Sequence, residues 1–408
     1  MIRKNGFTIL LLLGLFITLS LIGPLLNATT PLTSQDEILL RQSPTSQEAF
    51  PPLGSPSPMW DVTFGNDKGW AESWDIIQLQ SGYLCAAGTF AYAADSYEGD
   101  THYFAAFYMP PDCTRFSMYE GSGWVNGTLS EAHSVVQSDE GYIALAGAID
   151  WYDNKNKAYM EVFYNGSMTP DSWYNGSVSD TAWSIIEHYP KALVLAGVTE
   201  SFGAGGKDAW LLHTDPDKFC TGSFGRRTPL LWNRTYGGSG DDEARCVVHC
   251  STGGFAIVGF TESYGLGGTD GWLIRTDADG NHLWDRTFGT AEDDELYSII
   301  ECQSGGYAMI GTSNYAQNPD MLSTMWVLRI SDLGSVRWQH FFGIPDGFCK
   351  GYDIVELEDG TFALVGSIQQ GSFDMWLVRL AHDGTPLTFQ AFGGSRDDVA
   401  RSITVVRS

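Results

Sequence analysis

The chain has 408 residues, 43% hydrophobic and 13% aromatic, which suits a packed globular protein of one large or two ordinary domains and excludes a disordered one. A net charge of -26 excludes nucleic acid, whose phosphates attract Lys and Arg, and equally disfavours anionic membrane surfaces. An acidic surface of this kind keeps a protein soluble and can collect cations.

Residues 1–28 read as an export segment. Arg3 and Lys4 precede the apolar run Gly6–Leu26, and Ala28 offers a small residue near a cut. The run is close to the ~20 residues that span a bilayer, so a cleaved signal peptide and an uncleaved anchor both remain open. Either way the rest of the chain is expected outside the cytoplasm, extracellular or at the cell surface. Residues 29–58 form a Pro/Ser/Thr-rich linker, because Pro removes backbone donors and Ser/Thr clusters build no core. Asn-x-Ser/Thr sequons at Asn27, Asn126, Asn165, Asn175 and Asn233 suit an exported protein.

Residues 59–408 are an array. Trp60, Trp124, Trp173, Trp232, Trp284 and Trp338 open successive units, and Thr388 takes the same place in a final fragment. A period near fifty predicts a propeller, solenoid or other array. Each unit carries four short β-branched and aromatic runs. In the fourth they are EARCVVH, GFAIVGFT, DGWLIRT and HLWDRTF, separated by Gly, Asp and Ser turns. No stretch shows helical period with caps. Four strands per unit, repeated radially, predict an all-β fold, a β-propeller of four-stranded blades. The recurring Trp of each blade, such as Trp210, Trp272 and Trp376, is expected to pack between blades.

The segments GNHLWDRTFGTAEDDELYSIIECQSGGYAMIGTS and LWNRTYGGSGDDEARCVVHCSTGGFAIVGFTES carry a resemblance. They look like the exported seven-bladed β-propeller repeats (SBBP type) of archaea and bacteria, in which a Trp strand leads to Gly-Gly-x-x-Asp-Asp, a strand, a Gly turn and Gly-x-Thr. The likeness covers residues 60–408 and is weak in the first two units, which lack the Asp pair. It implies a fold more surely than an activity. Counting strands gives six complete blades and an incomplete seventh: a spare fourth strand at Trp60–Phe64 and a spare first strand at Asp398–Val406. That count suits a gene product stopping short of a closed ring of seven, or a six-blade ring with loose ends.

The search for catalytic motifs is mostly negative. Gly-x-Ser-x-Gly and His-Glu-x-x-His are absent, and GLGGTDG sits between strands rather than before a helix. Seven Cys in an exported chain allow up to three disulfides, with pairing unresolved. Thr276–Asn281 has alternating loop oxygens but lacks the distal Glu of a calcium loop and reads as a hairpin turn. The Trp line also resembles that of quinoprotein propellers, without the vicinal Cys pair often found there. One constellation survives. The loops GGSGDDE, GTAEDDE and GGSRDD make one face acidic, and Asp242, Asp294 and Asp398 are candidate calcium ligands there. Just inside, one position of the first strand reads Trp74, His133, Trp183, Arg245, Tyr297, Tyr352 and Arg401. Such a ring of aromatic and cationic groups suits a ligand site at the channel mouth, its alternative being packing against neighbouring blades. The expected function is a binding scaffold for an extracellular ligand or protein, a glycan among the candidates. The alternative is an exported glycan hydrolase or lyase that uses top-face carboxylates such as Asp242 and Asp294. Contact with a membrane is expected solely through an uncleaved N-terminal segment.

Overall fold

The computed structural model describes residues 7–9, 12–13, 62–64, 69–92, 101–109, 117–120, 130–150, 155–164, 167–168, 172–174, 176–190, 192–214, 229–314 and 322–406. Among them all regular structure is β-strand. Antiparallel sheets follow one another along the chain, each built of strands paired in sequence order. The first holds Gly69–Gln78, Leu84–Tyr92, Thr101–Met109 and Ser117–Glu120. In the second, Ser130–Gln137, Ile143–Asp150 and Asn156–Tyr164 are completed by Ser167–Met168 and Ser172–Tyr174, both paired with the third strand. Asp180–Tyr189, Ala192–Thr199, Asp208–Thr214 and Leu230–Tyr236 form the third. The fourth runs from Asp242–His249 through Phe255–Thr261 and Asp270–Thr276 to His282–Phe288. Asp294–Glu301, Tyr307–Ser313, Thr324–Ile330 and Val336–Phe342 make the fifth. The sixth comprises Cys349–Glu356, Phe362–Gln370, Ser372–Leu380 and Pro386–Phe392.

The sheets pack face to face, as blades of a propeller do. Their first strands lie next to one another around the axis. Phe255–Thr261 and Asp270–Thr276 are buried at every position, whereas Leu230–Tyr236 is partly exposed. A middle strand covered on both faces has no polar side, which is why these runs read as continuous apolar stretches. The apolar clusters lie between sheets. One joins Val194 and Leu211 of the third to Val247, Phe255 and Trp272 of the fourth. Another joins Val258 and Leu273 to Leu296, Tyr307 and Trp326. Trp210, Trp272 and Trp376 are each buried in such a cluster, matching the packing role expected for them.

Every first strand contains a bulge. Pairing with the second strand skips a residue at Trp74, His133, Trp183, Arg245, Tyr297 and Tyr352. A bulged residue has no cross-strand partner and is re-aimed by the local bend. A glycine on the second strand makes the bend possible. A Cβ on Gly259 would stand 1.8 Å from the Glu243 carbonyl oxygen, and Gly147, Gly197, Gly311 and Gly366 face the same clash in their sheets. The Gly of the repeating Gly-x-Thr motif is therefore the room into which that carbonyl tilts.

Residues near 400 occupy the next place beside the sixth sheet. Ala400 and Ile403 pack against Val365, Met375 and Leu377. The strand expected at Asp398–Val406 is regular only at Val405–Val406, which pairs in parallel with Leu12–Leu13. A longer ladder would need a longer partner, and none stands beside it among the described residues. Val62–Phe64, within the expected fourth-strand fragment, pairs with Phe7–Ile9. The rest of residues 1–28, and all of the linker 29–58, lie outside the described residues. Trp124, taken as the mark of a fourth strand, also lies outside them, and the fourth strand of the first sheet is Ser117–Glu120 instead. The expectation of up to three disulfides needs correction. Cys246, Cys250, Cys302 and Cys349 are free thiols, the last three of them buried, which leaves at most one pair among the other three cysteines. Cys113 and Cys220 lie outside the described residues.

The carbonyl contact sets a test. Gly259→Ala is expected to destabilise by roughly 3 kcal/mol, the upper range for overpacking a core. Gly253, with positive φ and no neighbour within 4 Å of a built Cβ, is expected to accept Asn at a cost of about 1 kcal/mol or less. Denaturant melts of the two variants check the difference.

Candidate ligand site at the channel mouth

The bulges bring the predicted ring residues together. Trp74 meets His133 edge-on with ring centroids 5.3 Å apart, and His133 stacks on Trp183 at 4.2 Å. Arg245 lies 4.4 Å over the Trp183 ring. Tyr297 and Tyr352 are 5.5 Å apart. Arg401 is held between Tyr352 at 4.6 Å and Trp74 at 4.5 Å, so the segment near 400 supplies the seventh member. The result is a collar whose members stack on one another. Guanidinium groups over indole and phenol faces gain on the order of 1 kcal/mol each when partly buried.

A rim of glutamates, which the sequence reading did not single out, sits two residues ahead of the collar. Glu72 pairs with Arg401 at 3.3 Å, Glu131 with His133 at 3.0 Å, and Glu243 with both Arg245 at 2.9 Å and Lys207 at 3.1 Å. Tyr297 donates its hydroxyl to Glu295 at 2.6 Å. Burial raises the pKa of that hydroxyl, and the Glu295 charge raises it further. Glu243 is nearly sealed, with 5% of its side chain exposed, whereas 39% of the Glu72 and 26% of the Glu131 side chain face solvent. Glu72 and Glu131 are thus rim carboxylates that a ligand can reach.

A second unforeseen layer lies one residue after the collar. Asp75 accepts from the Ser134 hydroxyl and the Val135 N–H, both at 2.9 Å. Ser134 accepts from the Ile185 N–H, and Ser184 from the Val247 N–H, each at 3.3 Å. Ser298 donates to Asp353 at 2.7 Å, and Asp353 accepts from the Ile403 N–H at 2.9 Å. Each side chain reaches across to the next first strand, so a polar belt circles the axis beneath the collar. Ser402 closes it, with its hydroxyl 3.0 Å from Asp75 Oδ1 and 2.9 Å from Asp353 Oδ2. One hydroxyl carries one proton and can donate to one of these oxygens. The other contact becomes a hydrogen bond when that carboxyl is itself protonated. Burial pushes Asp353 up to about 6 and raises Asp75 as well.

The acidic loops have a different arrangement. Asp242 is fully buried and accepts from the Thr261 hydroxyl, from Ser263 at 2.6 Å and from the Gly238 N–H at 2.8 Å. Asp294, also buried, accepts from the Thr290 N–H at 2.6 Å, and Asp398 from the Gly394 N–H at 3.0 Å. The first Asp of each pair reaches the preceding blade. Asp241 accepts from the Lys207 N–H, Asp293 from the Thr269 N–H and Asp397 from the Phe373 N–H. In return, the N–H groups of Asp242, Asp294 and Asp398 donate to the carbonyls of Lys207, Thr269 and Phe373. The Asp pair is a two-point clamp between sheets. Asp242, Asp294 and Asp398 therefore hold loops in place, and no group of three or more metal-ligating side chains is preassembled among the described residues.

No family model and no curated protein matches the chain. Among solved structures, a protein of unknown function from Dyadobacter fermentans is 13% identical with a TM-score of 0.45, over 80% of this chain and 95% of that one. A polysaccharide lyase of the ulvan lyase family PL25 is 9% identical with a TM-score of 0.45, over 84% and 81%. A sialidase from Trypanosoma rangeli is 12% identical with a TM-score of 0.43, over 76% of this chain and 54% of that one. Likeness at this level assigns neither a family nor an activity.

The shared proton of the belt makes stability depend on pH. A carboxyl whose folded pKa lies above its unfolded value near 3.9 binds the proton more tightly in the folded chain. The contribution of Asp353 is thus complete below about pH 4 and is lost as pH rises through about 6. Asp353→Asn, neutral at every pH, is expected to flatten the fall in melting temperature between pH 4 and 7. Parallel melting curves for variant and wild type across that range would contradict the assignment.

Proposed function

We propose that this chain is an exported, cell-surface or extracellular β-propeller that binds a glycan-type ligand at its channel mouth. The blade count behind this reading is six complete blades with residues 398–406 standing at a seventh inner position. The docking of Arg401, Ser402 and Ile403 against the first and sixth sheets supports that count. The relation to the SBBP-type repeats belongs to the same proposal and rests on the repeated Trp, Gly-Gly-x-x-Asp-Asp and Gly-x-Thr lines.

The observation that carries the function is the partly exposed collar beneath reachable rim carboxylates. Sugar rings offer apolar C–H faces to aromatic side chains and hydroxyls to carboxylate acceptors. The collar supplies the first kind of surface through the parts of Trp74, Tyr297 and Tyr352 that its own contacts leave open, while the Trp183 ring supports His133 and Arg245. Glu72 and Glu131 supply the second. Arg245, Arg401 and His133 hold these groups in place by stacking and ion pairing. The hydrolase or lyase alternative loses its first candidates, because Asp242 and Asp294 are buried and engaged with loop groups. It would have to use the rim glutamates. Calcium at Asp242, Asp294 and Asp398 stays within the proposal as a stabilising ion. A higher melting temperature in millimolar calcium than in EDTA supports it, and identical curves leave those carboxylates to the backbone.

A glycan array probed with the purified protein is the direct test, and an array without a hit removes the glycan reading. For a ligand found there, Glu72→Gln and Glu131→Gln are expected to weaken binding several-fold, the effect of losing about 1 kcal/mol, with little change in melting temperature. Trp183→Ala is expected to lower both binding and stability, since it removes the surfaces under His133 and Arg245.

A further inference from the structure

One blade junction departs from the repeat. At the end of the first strand the equivalent positions read Gln78, Gln137, Glu187, His249, Glu301 and Glu356. Four of these side chains fasten neighbouring sheets. Gln137 accepts from the Gln80 N–H at 2.6 Å, and Glu187, Glu301 and Glu356 accept from the N–H groups of Asp139, Ser251 and Gln303 at 2.7 Å. The junction of the third and fourth sheets has His249 there instead. On the third strand, His213 stands where the three later sheets have Arg275, Arg329 and Arg379. Arg275 and Arg329 satisfy buried carbonyls from that place. The residue after the first-strand position is His188 in the third sheet and Leu79, Ser138, Cys250, Cys302 or Leu357 in the others. Three columns of the repeat each turn to histidine in one unit, and His188 lies against both of the others.

His188 Nδ1 faces His213 Nε2 at 3.1 Å. The ring centroids of His188 and His213 are 5.3 Å apart, and those of His188 and His249 are 4.9 Å apart. His213 is buried and stacks on Trp232 at 5.0 Å, and His188 meets Phe255 at 4.9 Å. Aromatic walls thus fix both ring planes, while His249 is exposed and able to turn. Two nitrogens each ~2.0–2.1 Å from a tetrahedral zinc stand roughly 3.3 Å apart, so the pair needs to open only slightly. Imidazole suits zinc and copper, whereas the carboxylates of the opposite face suit calcium.

We propose that His188 and His213 are the fixed ligands of a transition-metal site, zinc or copper, at the junction of the third and fourth sheets, completed by His249 and water. The ion ties together two sheets at the junction where the carboxylate fastening is missing.

The test is calorimetric titration of the full chain with zinc sulfate in excess calcium, which occupies oxygen sites and leaves imidazole free. One saturable zinc site is expected. His188→Gln is expected to weaken it by roughly tenfold or more, at least the loss seen when a mere outer-shell partner is removed. His282→Gln, an exposed histidine paired with Asp285 on the outer strand, is expected to leave it unchanged. A wild-type chain that takes up no zinc, or a His188→Gln chain that binds as wild type does, overturns the proposal. Should His188→Gln fail to fold, copper bound to the wild-type chain decides. An electron paramagnetic resonance spectrum split by at least two imidazole nitrogens is expected, and one from oxygen ligands alone overturns the site.

Discussion

One extra residue in each first strand organises the centre of this protein. Without the bulge, side chains of that strand would alternate between the two faces of its own sheet. With it, the bulged residue turns to the axis, and the next residue reaches the backbone of the neighbouring sheet. Collar and belt are consequences of that single shift, repeated sheet after sheet. The requirement for it is a glycine opposite, because the tilted carbonyl occupies the space of a side chain. A repeat that looks like a statement about turns is therefore a statement about what points into the channel.

The acidity of the chain has a related explanation. Loops between sheets carry N–H groups that no ladder satisfies, and a buried donor without an acceptor costs on the order of 1–3 kcal/mol. A short carboxylate can accept several at once. Asp180 does so with Ser201 and Gly176, as Asp242 does with Ser263 and Gly238. Repetition of this device over the blades accounts for much of the Asp content on one face. Groups that recur in register are thus parts of the scaffold, and chemistry is to be sought where a column changes its residue type. The collar is such a column, with four different residue types at seven positions. The histidine junction is another.

The strand runs were legible because buried middle strands leave long apolar stretches between Gly and Asp turns. The collar was legible too, since aligning units on their Trp places Trp74 through Arg401 in one column. The first sheet was harder. Trp124 suggested a fourth strand, whereas pairing with Ala105–Tyr108 falls to Ser117–Glu120. Glu72 and Glu131 belong to no motif in the sequence, because nothing in one strand shows that a bulge aims the next residues at them. The belt was hidden by its mixed chemistry of Asp and Ser. Its members share a reach of two or three bonds to a neighbouring N–H, a property of geometry rather than residue type. Cysteine number sets only an upper limit on pairing, and the free thiols of Cys246, Cys250, Cys302 and Cys349 put the protein below it.

Within each sheet, strands pair with their neighbours in the chain, so blades can form from contacts between nearby residues. The contact of Ser402 with Asp75 is of another order, spanning 327 positions. Closing so long a segment carries an entropy that grows slowly with length and is offset once the many blade interfaces have removed the slack. Assembly by successive docking of blades makes that closure a late event. Its rate reports on how well the preceding sheets are stacked, while its strength rests on a few residues around position 400. Strain introduced at any junction would then surface first as opening at this seam, far from the altered residue.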